Sequence, residues 1–240
     1  HGDAHREGHA DCVGKLDLAK PSSYLGHLGQ RPCVYGWGFT HPYECEGKVH
    51  AGGRISPQGP YGFYLQELGL YEAFHKDYRL RIDRGGIKDA YHDSVLPTEA
   101  FEDAYIGRYA AQWLAEVPED FPWHYFVSFV GPHDPFDPPT EYADRYRATP
   151  MSPAIKDTME HKPGYAKARV VGLEADQIEV ARRQYCAAIE VIDDHVGMMM
   201  DALEARGMLE NTILIFSSDH GEMLGEHGIF MKEVPYEASV

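Results

Sequence analysis

The chain has 240 residues, of which 43% are hydrophobic, and its 38 acidic against 22 basic residues give a formal net charge of −16. That apolar content is enough for the core of one domain or most of one and excludes a disordered tail, while the acidity argues against nucleic acid and anionic membrane as partners, which call for clustered Lys and Arg. A site for an anionic ligand must therefore be cationic locally, through Lys15, Lys20, Lys232 or a bound metal.

No run has the apolar length of a membrane span, and the first residues lack the pattern of a secretory leader, which leaves the compartment open. Cys12, Cys33, Cys45 and Cys186 are too unevenly spaced for a disulfide framework or a zinc ribbon and are expected as reduced or buried thiols.

In chain order, Ala10 to Leu16 predicts a short strand, feeding a loop that begins at Lys20-Pro21. Residues 26–62 are dense in Gly, Pro and aromatics without a period, and are expected as a long irregular excursion in which Trp37, His41, Tyr43, His50 and Arg54 could line a substrate wall; for any one of them, packing is the commoner role. Thr98 can cap a helix to about Glu116 whose core stripe is Phe101, Tyr105, Tyr109 and Trp113. Pro118 and Pro122 end it, and Trp123 to Val130 follows as a strand. Residues 149–172 have no period and are expected as a surface insertion.

A long helix begins at a capping-box-like Asp176 and Glu179, keeps Ile178, Ala181, Tyr185, Ala188, Ile192, His195, Met199 and Leu203 on one face, and stops at Gly207. Thr212 to Phe216 predicts a buried strand. This alternation of strands and helices indicates an α/β layer architecture with helices on the faces of a sheet, and no internal repeat is present.

The chemistry concentrates behind the predicted strands, since ligands of open α/β sheets sit past the carboxyl ends of strands. Asp219 and His220 offer a carboxylate and an imidazole to a divalent cation, and Gly221, Gly225 and Gly228 permit a tight loop around it; alone, the pair would be a capped turn. His133 lies in Gly131-Pro132-His133-Asp134-Pro135-Phe136, where flanking prolines restrict the backbone around a candidate acid. Lys15 follows Gly14, although an isolated Gly-Lys pair usually holds a solvated lysine. Lys232 follows the glycine loop, with a salt bridge to Glu233 or Glu237 as its plain alternative. Glu222, Glu226 and His227 are expected to stabilise the loop, because neither a His-Glu-x-x-His nor an EF-hand pattern is present. A Gly-x-Ser-x-Gly elbow and a dinucleotide fingerprint are both missing, which narrows the enzyme classes to metal-assisted ester cleavage.

Three segments in order, Cys12-Val13-Gly14-Lys15-Leu16-Asp17-Leu18, Val127 to Phe136, and Phe216 to Gly228 with Lys232, resemble the sulfatases of the alkaline phosphatase superfamily, and the Tyr185 to Gly197 helix carrying Ile192-Asp193-Asp194 is similar too. The resemblance implies a sulfatase-like core with a mixed, mostly parallel sheet flanked by helices, of which residues 1–240 would be a partial domain, and hydrolysis of small-molecule or carbohydrate sulfate esters. It implies a metal held by Asp219 and His220. Many sulfatases carry Asn where His220 stands, so manganese competes with calcium as the expected ion.

By the same resemblance Lys15 contacts the sulfate and the nucleophile, His133 helps protonate the ester oxygen, and Lys232 is a second cation near that oxygen. The family nucleophile is a formylglycine made in a Cys/Ser-x-Pro-x-Arg motif, which follows none of the cysteines or serines here. The chain is thus expected to be an internal fragment, with the nucleophile, its Arg and further metal-binding aspartates upstream. A histidine usually follows the family's lysine; here Asp17 and Ala19 do, and the nearest histidine is His27. The rival expectations are a phosphonate or phosphate ester hydrolase of the same superfamily and a non-catalytic binding module with the same fold.

Overall fold

The stretch His9–Gly14 forms the central strand, β1, of a three-stranded sheet, in a computed structural model that describes residues 8–16, 26–29, 34–84 and 91–240. β2 (His41–Glu44) and β3 (Trp123–Ser128) flank it, both parallel to it, in the order β2-β1-β3. Val13 faces Tyr43 on one side and Val127 on the other. Parallel neighbours need crossovers, and helices supply much of them: α1 (Lys48–Gly52), α2 (Pro60–Glu67), α3 (Tyr71–Asp83) and α4 (Glu102–Glu116) all lie between β2 and β3. The architecture is α/β with a parallel sheet flanked by helices, as its alternating pattern predicts.

The chain divides into two compact units. The first, residues 1–80, 95–131 and 191–211, contains the sheet and a core built from Val13, Tyr61, Leu65, Phe74, Ile106, Leu114, Met199 and Leu203. The aromatic stripe of α4 packs on the strands. Tyr109 stacks on Tyr43 of β2 at 4.1 Å, Trp113 stacks on Tyr125 of β3 at 4.1 Å, and Tyr105 donates its hydroxyl proton to Tyr43 at 2.7 Å. Such pairs add about 0.5–1.5 kcal/mol each beyond the area they bury.

The second unit, residues 81–94, 132–190 and 212–240, has smaller cores around Phe136, Ala181 and Phe230 and around Met159, Met223 and Ile229. It includes α5 (Thr140–Tyr146), α6 (Gly164–Lys167) and the first half of α7 (Ala175–Ala205). Ala181, Ala188, Ile192, His195, Met199 and Leu203 are buried along α7, and Gly207 ends it at φ 67° with its N–H donated to the Glu204 carbonyl.

Four expectations need correction. Residues 26–62 are not wholly irregular: they carry β2, α1 and the start of α2, whose short strand and turn-length helix are too brief to show a period. Thr98 opens a separate 3-10 turn to Ala100, and α4 starts after extended Phe101 with no side-chain cap, its acidic first turn (Glu102, Asp103) meeting the helix dipole instead. At α7 the Glu174 N–H donates to Gln177 Oε1, which reaches back to it at 2.9 Å, while Glu179 pairs with Arg183 one turn on. The largest departure is Thr212–Phe216, which forms no strand. Ile213, Leu214, Ile215 and Phe216 are 88%, 61%, 83% and 84% exposed. A strand exists only when a neighbour satisfies its amides, and no described strand pairs with this segment; β-forming composition supplies the tendency but not the partner.

Candidate active site

β1 delivers Lys15 at its carboxyl end. Gly14 makes the turn possible at φ +100°, where a Cβ would stand 1.9 Å from the Ser128 carbonyl oxygen, so only glycine lets β1 pass this close to β3. The Lys15 amide then donates to that same oxygen at 3.2 Å. The Lys15 side chain runs beside Gly47, where an added Cβ would meet its Cδ at 2.9 Å.

Around it the first unit buries a group of acids that the sequence did not reveal: Glu44, Glu46, Glu102 and Asp103, with Lys48 also buried. Burial pushes Glu102 well above the usual carboxylate range, the charges of Asp103 and Glu46 push it further, and Lys48 and Lys15 oppose them. Asp103 is likewise raised by desolvation, and its Oδ1 accepts the amides of Val130 and Gly131, each at 2.8 Å. That carboxylate fixes the chain immediately before Pro132-His133. Glu46 accepts the amides of Gly59, Tyr61 and Gly62 at 3.0–3.2 Å and thereby caps α2 from thirteen or more residues away, a spacing no local pattern encodes.

The second unit brings two of the sequence candidates together. Lys232 Nζ lies 3.1 Å from His133 Nε2, while His133 Nδ1 is 2.8 Å from the Asp134 carbonyl oxygen. An ammonium only donates, so Nε2 presents its lone pair to Lys232 and Nδ1 carries the proton shared with Asp134. Glu222 stands in the same surroundings. Burial raises its carboxyl above the usual range, the Leu224 and Met231 amides lower it, Asp134 raises it and Lys232 lowers it. The loop roles expected of Glu222, Glu226 and His227 match what these groups contact. Glu222 accepts the amides of Leu224 and Met231, Glu226 binds Arg182 and the Ile155 amide, and His227 faces Asp157 at 3.3 Å.

Asp219 and His220 follow the exposed 212–216 segment rather than a strand end. Asp219 Oδ1 accepts the His220 amide at 2.9 Å, the capped turn that is the pair's plain alternative, and its side chain is 84% exposed. His220 Nδ1 is 2.7 Å from the Gly221 carbonyl, and its Nε2 is 3.6 Å from Asp219 Oδ2. A metal-binding imidazole typically donates one ring N–H to a carbonyl and offers the other nitrogen to the ion. The two facing atoms therefore fit adjacent positions of one cation's shell, although two donors are fewer than a hard cation takes.

Lys20, Asp17, Ala19 and Cys33 lie outside the described residues. His27 stacks on Phe63 at 3.9 Å and faces Glu67 at 3.8 Å. Cys12, Cys45 and Cys186 are free thiols, and burial raises Cys12 to about 12, which keeps it protonated and unreactive. One further ligand group is present among the described residues, His9, Asp11 and His41 in the first unit.

The family profile described as Sulfatase matches residues 58–239. An arylsulfatase of Clostridium perfringens is 34% identical over 155 residues, 62% of this chain and 31% of that protein. A choline-sulfatase of Rhizobium meliloti is 33% identical over 129 residues, 49% of this chain and 25% of its own. Among solved structures, a phosphonate monoester hydrolase of Agrobacterium radiobacter superposes with a TM-score of 0.70 at 21% identity, over 97% of this chain and 48% of its own, a likeness of fold. The chain thus spans about a third or less of the length of these curated relatives. No helix among the described residues is long and apolar enough to cross a membrane. With the profile running through most of its length, the chain belongs to the sulfatase family.

Proposed function

We propose that the intact protein hydrolyses sulfate esters, with Lys15, His133 and Lys232 around the transferred group and Asp219 and His220 holding part of a divalent metal site. The observation that carries this reading is the 3.1 Å contact between Lys232 Nζ and His133 Nε2, which unites two residues 99 positions apart into a pair able to supply a proton to a departing ester oxygen. A metal held by Asp219 and His220 would neutralise charge on the sulfate oxygens, with calcium and manganese both compatible with carboxylate and imidazole donors. The nucleophile, a formylglycine by resemblance, would come from outside this sequence.

The chain's own residues account for the rest. By the family resemblance, the Lys15 ammonium would stabilise the negative charge that develops on the transferred group. Lys232 gives a proton to His133 Nε2, and the imidazolium passes the Nε2 proton to the leaving oxygen as the S–O bond breaks, leaving Lys232 as the neutral amine. The Asp134 carbonyl keeps the imidazole in the tautomer that presents Nε2.

General acid help matters most for a poor leaving group and contributes on the order of a hundredfold to ten-thousandfold. His133→Ala in the intact enzyme is therefore expected to damage alkyl or sugar sulfate hydrolysis far more than that of nitrophenyl sulfate, whereas Lys15→Ala harms both alike. Equal His133→Ala defects on both substrates, with chemistry rate-limiting, would assign His133 to positioning instead.

A phosphonate or phosphate ester hydrolase is the second reading, favoured by imidazole at position 220 in place of an amide. Rates on matched phenyl sulfate and phenyl phosphonate esters decide between the two. No turnover of either by the intact protein would select the binding-module alternative.

A further inference from the structure

A group of ligating side chains that the proposed chemistry leaves unused sits toward the amino ends of β1 and β2. Asp11 is directly opposite His41 across this parallel pair, and His9, two residues before Asp11, projects to the same face of β1. One ligating atom from each of the three lies within 4.8 Å of the other two. His41 Nδ1 is 3.3 Å from Asp11 Oδ1, and the two imidazole centroids are 5.7 Å apart.

The group has the build of a site rather than of a surface ion pair. Asp11 is 1% exposed, although a carboxylate in a strand interior normally needs strong compensation. Thr40 Oγ1 lies 2.6 Å from Asp11 Oδ1 and accepts the Ala10 amide at 3.1 Å, so the hydroxyl orients the carboxylate from behind. The His41 side chain, in contrast, is 66% exposed, which leaves a path from solvent to the donors. All the donors stand on the two strands or on Thr40 just before β2, so hydrogen bonding of the sheet preorganises them. A simple His41–Asp11 pair would account for two of the donors but not for the convergence of His9.

We infer that His9, Asp11 and His41 bind a divalent transition-metal ion of the zinc class. Two imidazoles and one carboxylate suit zinc, nickel or cobalt, and not calcium or magnesium, which take oxygen shells; three protein ligands leave a position for water. The ion would clamp β2 to β1 at the end remote from Gly14 and Lys15. It shares no residue with Asp219 and His220, and it stands independently of the sulfatase mechanism.

The test titrates Zn2+ alone into the chain carrying Asp219→Ala and His220→Ala, with His1→Ala and His5→Ala removing the other imidazoles near the amino terminus. About one equivalent should bind and raise the thermal midpoint, and excess Ca2+ should not displace it. His9→Ala and His41→Ala should each abolish that binding, and Thr40→Val, which removes only the orienting hydroxyl, should weaken it about 10- to 100-fold. Co2+ in place of Zn2+ should give visible d–d absorption that disappears in His9→Ala. His9 is only partly buried, so this variant retains the fold and keeps the test decisive if His41→Ala disturbs β2. Absence of Zn2+ binding, or unchanged affinity in both His9→Ala and His41→Ala, overturns the assignment.

Discussion

Replacing Gly14 with alanine tests how the sheet holds Lys15. At φ +100° the new Cβ would stand 1.9 Å from the Ser128 oxygen, a separation that has to grow to at least 3.0 Å. Holding a non-glycine residue in that backbone region costs about 1–3 kcal/mol. Moving the Ser128 carbonyl also breaks the 3.2 Å bond from the Lys15 amide and disturbs the β1–β3 ladder where it ends, which adds about 0.5–1.5 kcal/mol. Alanine returns about 0.4–1 kcal/mol by reducing the freedom of the unfolded chain. The net expectation is a loss of roughly 0.5–4 kcal/mol, centred near 2 kcal/mol, in urea unfolding followed by circular dichroism. Gly197→Ala in α7, where an added Cβ meets nothing within 4 Å, is the control, and it should stabilise by about 0.5–1 kcal/mol. A Gly14→Ala chain as stable as the parent, or more stable, would refute the close-approach argument, since it would show that the strand ends relax freely.

Glu102 makes a pH prediction. Burial raises its folded-state pKa above the unfolded value, so its stabilising contribution is complete below about pH 4.3 and is lost as pH rises toward the raised value. Stability should therefore fall more steeply with pH in the parent than in Glu102→Gln, by up to about 1.4 kcal/mol per pH unit, in urea titrations between pH 5 and 9; identical slopes would place the charge elsewhere. In the intact enzyme Asp219→Ala should abolish tight divalent binding, while His220→Asn should keep it and shift preference toward calcium, both read by metal analysis; normal occupancy in Asp219→Ala would remove that carboxylate from the shell. Lys232→Ala combined with His133→Ala should be little worse than the more damaging single change, because the two share one proton; additive losses in kcat/KM would separate their roles.

Sequence by itself determined the α/β class, the position of β1 and β3 within a residue or two, the aromatic core stripe of α4 and the span of α7, because these depend on periods of two and 3.6 that repeat often enough to register. Residue type, chain order and the family resemblance singled out Lys15, His133, Asp219, His220 and Lys232 as candidates for the chemistry. Only the tertiary structure decided which of them meet. His133 finds Lys232 across 99 residues, Glu46 caps a helix it does not belong to, and Asp11 reaches His41 across 30 residues by register between parallel strands. Thr212–Phe216 is the converse case, a segment with strand composition and no described strand beside it. Propensity is a property of a few neighbouring residues, whereas pairing, burial of a carboxylate and convergence of ligands depend on groups that chain order does not place together.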